Sequence, residues 1–222
     1  MKILVTRPEP GATATAERLR QMGFEPVLAP CLRIDPVDAK LPENPAAILL
    51  TSGHAADALP ARYRAVPCFT VGDATAAKLR AAGFTAVESA AGDAGDLLLL
   101  MAGRRIDGLH LLAVGEGHGQ DLARQLREHG IRLIRRKIYQ TRPMRGLPAP
   151  VKTALAAGEI QKALFYSAET LRAFIRMKPP GTAALEALAL SPAIAAIAQG
   201  LPWRRIRVAL APNEADLLAL LK

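Results

Sequence analysis

Aromatic residues are scarce in this chain: Phe, Trp and Tyr make up 4% of its 222 residues. Proteins that hold single-stranded nucleic acid interleave stacking rings with basic side chains. The scarcity therefore argues against a nucleic-acid partner, even at a formal net charge of +9. Cysteine is almost absent. Cys31 and Cys68 lie far apart without C-x-x-C spacing, and the four histidines (His54, His110, His118, His129) are dispersed. Neither a structural disulfide nor a metal site is expected from such spacing. No segment approaches the ~20 apolar residues that cross a bilayer. The apolar run in MKILVTRPEPG is too short for a signal peptide, so the expectation is a cytoplasmic protein with no membrane partner. Acidic residues are missing from Gly130 to Gly158, where Arg132, Arg135, Arg136, Lys137, Arg142, Arg145 and Lys152 fall. Such a field favours a polyanionic small molecule, and the plain alternative is a solvated basic face.

What is present is a sequence that contains itself twice, out of register. Residues 3–26 and 110–133 each read as a short apolar run, a loop, an amphipathic helix, a Gly and a second run. At an offset of 107, Leu4 falls on Leu111, Ala16 on Ala123, Leu19 on Leu126 and Gly23 on Gly130. A second offset aligns ILLTSGHAADAL (48–59) with ALFYSAETLRAF (163–174) and Ser52 with Ser167. GDLLLLM (95–101) likewise resembles ADLLALL (215–221). Apolar runs recur at 3–6, 26–29, 47–51, 67–71, 85–88, 109–114, 131–135, 162–166, 187–190 and 206–210, separated mostly by Ala/Leu/Arg segments of helical spacing. Ala16, Leu19 and Met22 fall on one helical face, as do Leu122, Leu126 and His129. Strand–helix–strand alternation implies parallel sheets covered by helices.

The two offsets predict how the strands divide. One α/β domain is expected from 1–30 plus 144–222, and a second, inserted one from 38–135. The crossings, 31–37 and 136–143, look extended and are expected to pair as a two-stranded antiparallel connector. Two such domains imply an intervening cleft, where the chemistry is expected. Two intact domains joined end to end fit the order of the repeats less well.

ILVTRP (3–8), LLTSGHAA (49–56), VGDATAAKLRAAGF (71–84), KIYQTRP (137–143) and VALAPNEADLLALL (208–221), in that order, resemble the uroporphyrinogen-III synthase family along essentially the whole chain. The resemblance implies two flavodoxin-like parallel-sheet domains joined by a two-stranded β-ladder. It also implies a reaction: hydroxymethylbilane, a linear polycarboxylate, loses water and closes to uroporphyrinogen III. The last pyrrole ring is inverted through an azafulvene cation and a spiro intermediate. No metal or organic cofactor is implied, and a monomer is expected.

A polycarboxylate calls for hydrogen-bond donors, and strand-to-helix turns present free backbone N–H groups at a positive helix end. The turns at Thr51, Ser52 and Gly53, at Gly72 and Thr75, at Gly115, and at Tyr166, Ser167 and Ala168 are the candidates, with Ser191 at the matching place of the second half. For each hydroxyl the plain alternative is a helix N-cap. Arg7 closes the first run and could clamp a carboxylate bidentately, or serve an ordinary salt bridge. Arg142 is the best-spaced cation of the basic run. Tyr139 matches the tyrosine of the family's second connector, and its phenol is the candidate general acid toward the departing hydroxyl; the plain alternative is a half-buried strand tyrosine. Two departures from the family stand out. LSPAIAA (190–196) replaces a G-x-T-A turn, so Pro192 removes one N–H, and Val114-Gly115-Glu116 replaces Arg-Gly-Glu, removing a cation. The alternative reading is a non-catalytic two-domain binder of a tetrapyrrole or other small polyanion.

Overall fold

A computed structural model describes all residues, 1–222, and divides the chain into two units, Met1–Arg33 with Arg142–Lys222, and Ile34–Thr141.

The first unit is built on β1 (Lys2–Val5), β2 (Glu25–Leu28), β9 (Ile160–Phe165), β10 (Glu186–Ala189) and β11 (Arg205–Val208). They lie in the order β11-β10-β9-β1-β2, every pair parallel. Strand β1 shows why helices must cover both faces. Ile3 and Val5 pack with Leu164, Leu188 and the helices α1 (Gly11–Gln21) and α9 (Glu214–Ala219). Leu4 points the other way, into a cluster with Phe165, Ala187 and the helices α6 (Ala149–Ala156), α7 (Ala168–Arg176) and α8 (Pro192–Ala198). A strand buried on both faces reads as an unbroken apolar run, as ILV does.

The second unit uses the same plan with its strands in a different chain order. Its sheet contains β3 (Leu32–Pro36), β4 (Ala47–Leu50), β5 (Cys68–Thr70), β6 (Val87–Ser89), β7 (His110–Gly115) and β8 (Leu133–Pro143), of which β3 begins and β8 ends with two residues of the first unit. The sheet order is β3-β8-β7-β4-β5-β6. The helices α2 (His54–Ala58) and α3 (Asp73–Ala81) cover one face, over Ile48, Leu50, Leu111 and Ala113. The helices α4 (Ala94–Gly103) and α5 (Gln120–Glu128) cover the other, over Leu49, Phe69, Leu112 and Val114. Numbered by equivalent position rather than along the chain, both sheets have the flavodoxin-like order 2-1-3-4-5, with β3 added beyond β8 as a sixth strand in the second. In the second unit the third, fourth and fifth strands precede the first and second.

The repeat is visible in the backbone. Leu4 and Leu111 are fully buried, as are Leu19 and Leu126 on α1 and α5. Gly23 and Gly130 both follow their helices with positive φ, +81° and +79°, which only glycine adopts freely. That turn also moves Met22 and His129 off the faces expected for them. Both occupy the residue after the helix, and both are exposed.

Residues 131–135 and 136–143, read as two segments, form one strand from Leu133 to Pro143. LIRRKIYQTRP contains neither Gly nor, before its last residue, Pro, so nothing breaks it. Val37 N donates to the Ile138 carbonyl (2.9 Å) and Met144 N to the Cys31 carbonyl (2.9 Å), which sets β3 antiparallel to β8. The sheet is therefore parallel except for this pair. Cys31 and Cys68 are free and buried, and burial pushes both thiols up to about 12.

Candidate functional site

Ligand crevices in open α/β sheets form at the carboxyl ends of the strands, where the connections leave toward opposite faces. In the second unit that point lies between β7 and β4, since α5 and α2 cover opposite faces. Gly115 ends β7, Thr51-Ser52-Gly53 follows β4, and Gly72 follows β5. The fold thus gathers these expected residues on one sheet edge. Ser52 Oγ accepts from the His54 amide at 3.3 Å. Gly72 precedes α3, and Thr75, in the first turn of α3, is largely buried.

Tyr139 reaches this edge through a bulge. Val114 pairs with Lys137, but Gly115 pairs with Tyr139, so Ile138 is an extra residue. Ile138 and Tyr139 consequently both pack into the cluster beneath α2 and α3, whereas successive residues of a regular strand would diverge. The Tyr139 ring lies directly over Gly115. A Cβ there would stand 2.6 Å from Cε2 and Cζ and 2.8 Å from the hydroxyl oxygen. His54 meets the ring edge-on, with centroids 5.9 Å apart. Tyr139 is 6% exposed.

The corresponding point in the first unit lies between β1 and β9, and Arg7 and Tyr166 flank it. Thr6 Oγ1 donates to the Leu164 carbonyl (2.6 Å) and ties the two strand ends together. The Arg7 guanidinium stacks 4.1 Å above the Tyr166 ring. Glu214, on α9, is the hub. Its Oε1 accepts from Tyr166 OH (2.7 Å), Thr15 Oγ1 (2.8 Å) and Arg7 Nη1 (3.1 Å), and its Oε2 pairs with Arg18. Burial acts to raise the Glu214 carboxyl. The hydrogen bonds from Tyr166 and Thr15 and the charges of Arg18 and Arg7 outweigh it and hold the group below the usual range. Burial, the largest influence on Tyr166, holds its phenol well above its usual value.

Sequence reasoning missed Thr15, Arg18, Glu214 and His54. Thr15 carried a signal, because it falls on the buried stripe Ala12-Thr15-Ala16-Leu19. Glu214 lay inside a quoted motif, but its partners Arg7 and Arg18 are 207 and 196 residues away. Ser167 caps α7, accepting from the Thr170 amide at 3.1 Å, and Ala168 opens that helix with first-turn amides that have no intrahelical acceptor. Ser191 precedes α8 but makes no side-chain cap, and Pro192 takes the first helical position. In the basic run Lys137 pairs with Glu116 (2.8 Å). Arg135 donates to the His118 carbonyl and Arg136 to that of Lys40, both at 2.9 Å. Arg142 lies at the end of β8.

A model of the family described as uroporphyrinogen-III synthase HemD matches residues 13–219. The chain belongs to the uroporphyrinogen-III synthase HemD family. It is 29% identical over 211 residues to the porphyrin biosynthesis protein HemD of Ruminiclostridium josui, a match covering 78% of this chain and 38% of that relative's length. The fold is also that of uroporphyrinogen-III synthetase from Helicobacter pylori, at TM-score 0.67 and 16% identity, with 99% of this chain and 97% of that one covered. A mutant uroporphyrinogen III synthase from Thermus thermophilus aligns at TM-score 0.52 and 20% identity, over 100% and 96% of the two chains. Against the family pattern, Val114 is buried in the cluster beneath α4 and α5, so no cation stands there. No three His, Cys, Asp or Glu side chains group as a metal site, and no helix is long and apolar enough to cross a membrane.

Proposed function

We propose that this HemD-family protein is a uroporphyrinogen-III synthase, a cyclising hydro-lyase of porphyrin biosynthesis. It closes hydroxymethylbilane to uroporphyrinogen III with inversion of the last ring and loss of water. The observation that carries this reading is Tyr139, which a strand bulge sets level with Gly115 at the carboxyl end of β7, its ring packed over a glycine that leaves room for it. The phenol protonates the departing hydroxyl. Loss of water gives the azafulvene cation, which the substituted carbon of the last ring attacks; fragmentation and reclosure complete the inversion, and the proton that the last ring loses on reclosure balances the one given by the phenol.

The substrate's carboxylates are met by donors at the carboxyl edge of each sheet. In the second unit these are the turns at Thr51, Ser52, Gly53, Gly72, Thr75 and Gly115. In the first they are Arg7, Tyr166, Ser167, Ala168 and Ser191, with Arg142 adding charge. Each side chain contributes by position and hydrogen bonding, and the reaction draws on binding energy and on the reactivity of the substrate itself. The chain acts as a cytoplasmic monomer.

The test couples the protein to hydroxymethylbilane synthase supplied with porphobilinogen. The oxidised product is expected to shift from the type I to the type III porphyrin isomer, and an unchanged type I product overturns the reading. A second reading, a homologue that binds tetrapyrrole without turnover, is favoured by buried Val114 and by Pro192, each of which removes a donor the family often has. It predicts porphyrin binding with type I product only.

A further inference from the structure

We propose that Arg7, Arg18, Thr15 and Tyr166 form a carboxylate receptor that Glu214 fills while no ligand is bound, so that an incoming carboxylate displaces it. The inference rests on the proposed polycarboxylate substrate for its purpose, but the receptor itself follows from geometry alone.

Four donors from three separate stretches of chain converge on one carboxylate. Thr15 and Arg18 come from α1, Arg7 from the end of β1 and Tyr166 from the end of β9. Three of them share Oε1, and Arg18 takes Oε2, an arrangement that would receive any carboxylate. It stands where an open α/β sheet binds ligands, at the β1/β9 reversal. Two of the residues expected to contact substrate, Arg7 and Tyr166, are thus engaged by the protein itself. While Glu214 is ionised the Tyr166 proton is committed to it, and Arg7 Nη1 is shared between Glu214 and Thr15.

The cluster is accessible. The side chains of Glu214, Arg7 and Arg18 are 22%, 31% and 58% exposed. Glu214 can also leave without unravelling its helix, because the cap of α9 is made by Asn213, whose Oδ1 accepts from the Asp216 amide at 2.9 Å. A side-chain rotation at Glu214 is enough to open the receptor.

Formate provides a probe that does not depend on turnover. Glu214→Ala removes the resident carboxylate and leaves four unopposed donors. Formate is expected to raise the melting temperature of Glu214→Ala above that in chloride of equal ionic strength and to leave the parent protein unmoved. Adding Arg7→Ala to Glu214→Ala is expected to abolish the gain. An equal response of parent and variant overturns the receptor. The second arm measures binding of uroporphyrin I, a stable octacarboxylate, to the parent, to Glu214→Ala and to the near-isosteric Glu214→Gln, which guards against misfolding of the alanine variant. Removing the competitor is expected to tighten binding about tenfold. Unchanged or weaker binding in a folded variant overturns displacement. If the parent makes no type III isomer, the synthase reading fails, whereas the formate arm still decides the receptor.

Discussion

Gly115 and Tyr139 constrain one another so closely that each tests the other. A methyl group at Gly115 would stand 2.6 Å from the Tyr139 ring, too near for the ring to stay. Gly115→Ala is expected to cost about 1–3 kcal/mol of stability in denaturant titration, the usual range for overpacking. It is also expected to lower type III formation at least as far as Tyr139→Phe does, because it moves the ring instead of trimming it. Tyr139→Phe, with the ring retained, is expected to slow turnover about a hundredfold without abolishing it, as for loss of one general acid. A parental rate in Tyr139→Phe would exclude a catalytic phenol. Glu214 gives a pH signature at the same scale. Its folded carboxyl lies below the ordinary glutamate value of about 4.3. Its network therefore contributes stability that is complete above that value and is lost as pH falls through the lower, folded one. The advantage of the parent over Glu214→Gln is expected to be full at neutral pH, to begin to fall as pH drops below about 4.3 and to go on shrinking through the lower, folded value, read from chemical unfolding at each pH.

Among the helices, two serines at equivalent turns do different work. Ser167 Oγ accepts the Thr170 amide and so caps α7, whereas Ser191 makes no such bond to α8. Ser167→Ala is expected to cost about 1 kcal/mol in unfolding experiments, the usual worth of an N-cap. Ser191→Ala is expected to leave stability within about 0.5 kcal/mol, so any loss of porphyrin affinity it causes reports ligand contact. What was legible in the sequence follows the same division between local and distant causes. Apolar runs, helical stripes and the paired glycines at 23 and 130 are set by a few neighbouring residues, and they revealed two similar parallel-sheet halves. The bulge at Ile138 was not legible, because it exists only in the pairing of β8 with β7. The junction of 131–135 with 136–143 did carry a signal, the absence of Gly and internal Pro from LIRRKIYQTRP, but the expected division into two domains cut the strand there. The Glu214 cluster escaped as the bulge did: its members meet only once β1, β9 and α9 have folded.

For the molecule as a whole, the decisive quantity is its charge, 29 basic against 20 acidic residues. The acid-free stretch looked like a ready anion trap, yet Lys137 is paired with Glu116, and Arg135 and Arg136 donate to carbonyls. Carbonyl acceptors leave the positive charge of an arginine intact, so of these three contacts the Lys137 pair is the one that cancels charge locally. The field of the chain is therefore nearly undiminished by these contacts, although the side chains are held in place. A long-range field acts on encounter, and direct contacts act on residence. The association rate of a polycarboxylate such as uroporphyrin I is accordingly expected to fall several-fold to tenfold as salt rises from about 0.05 to 0.5 M, where the screening length shrinks from roughly 14 to 4 Å. The dissociation rate should change much less. Stopped-flow fluorescence separates the two, and an association rate indifferent to salt would show that the excess positive charge plays no part in capture.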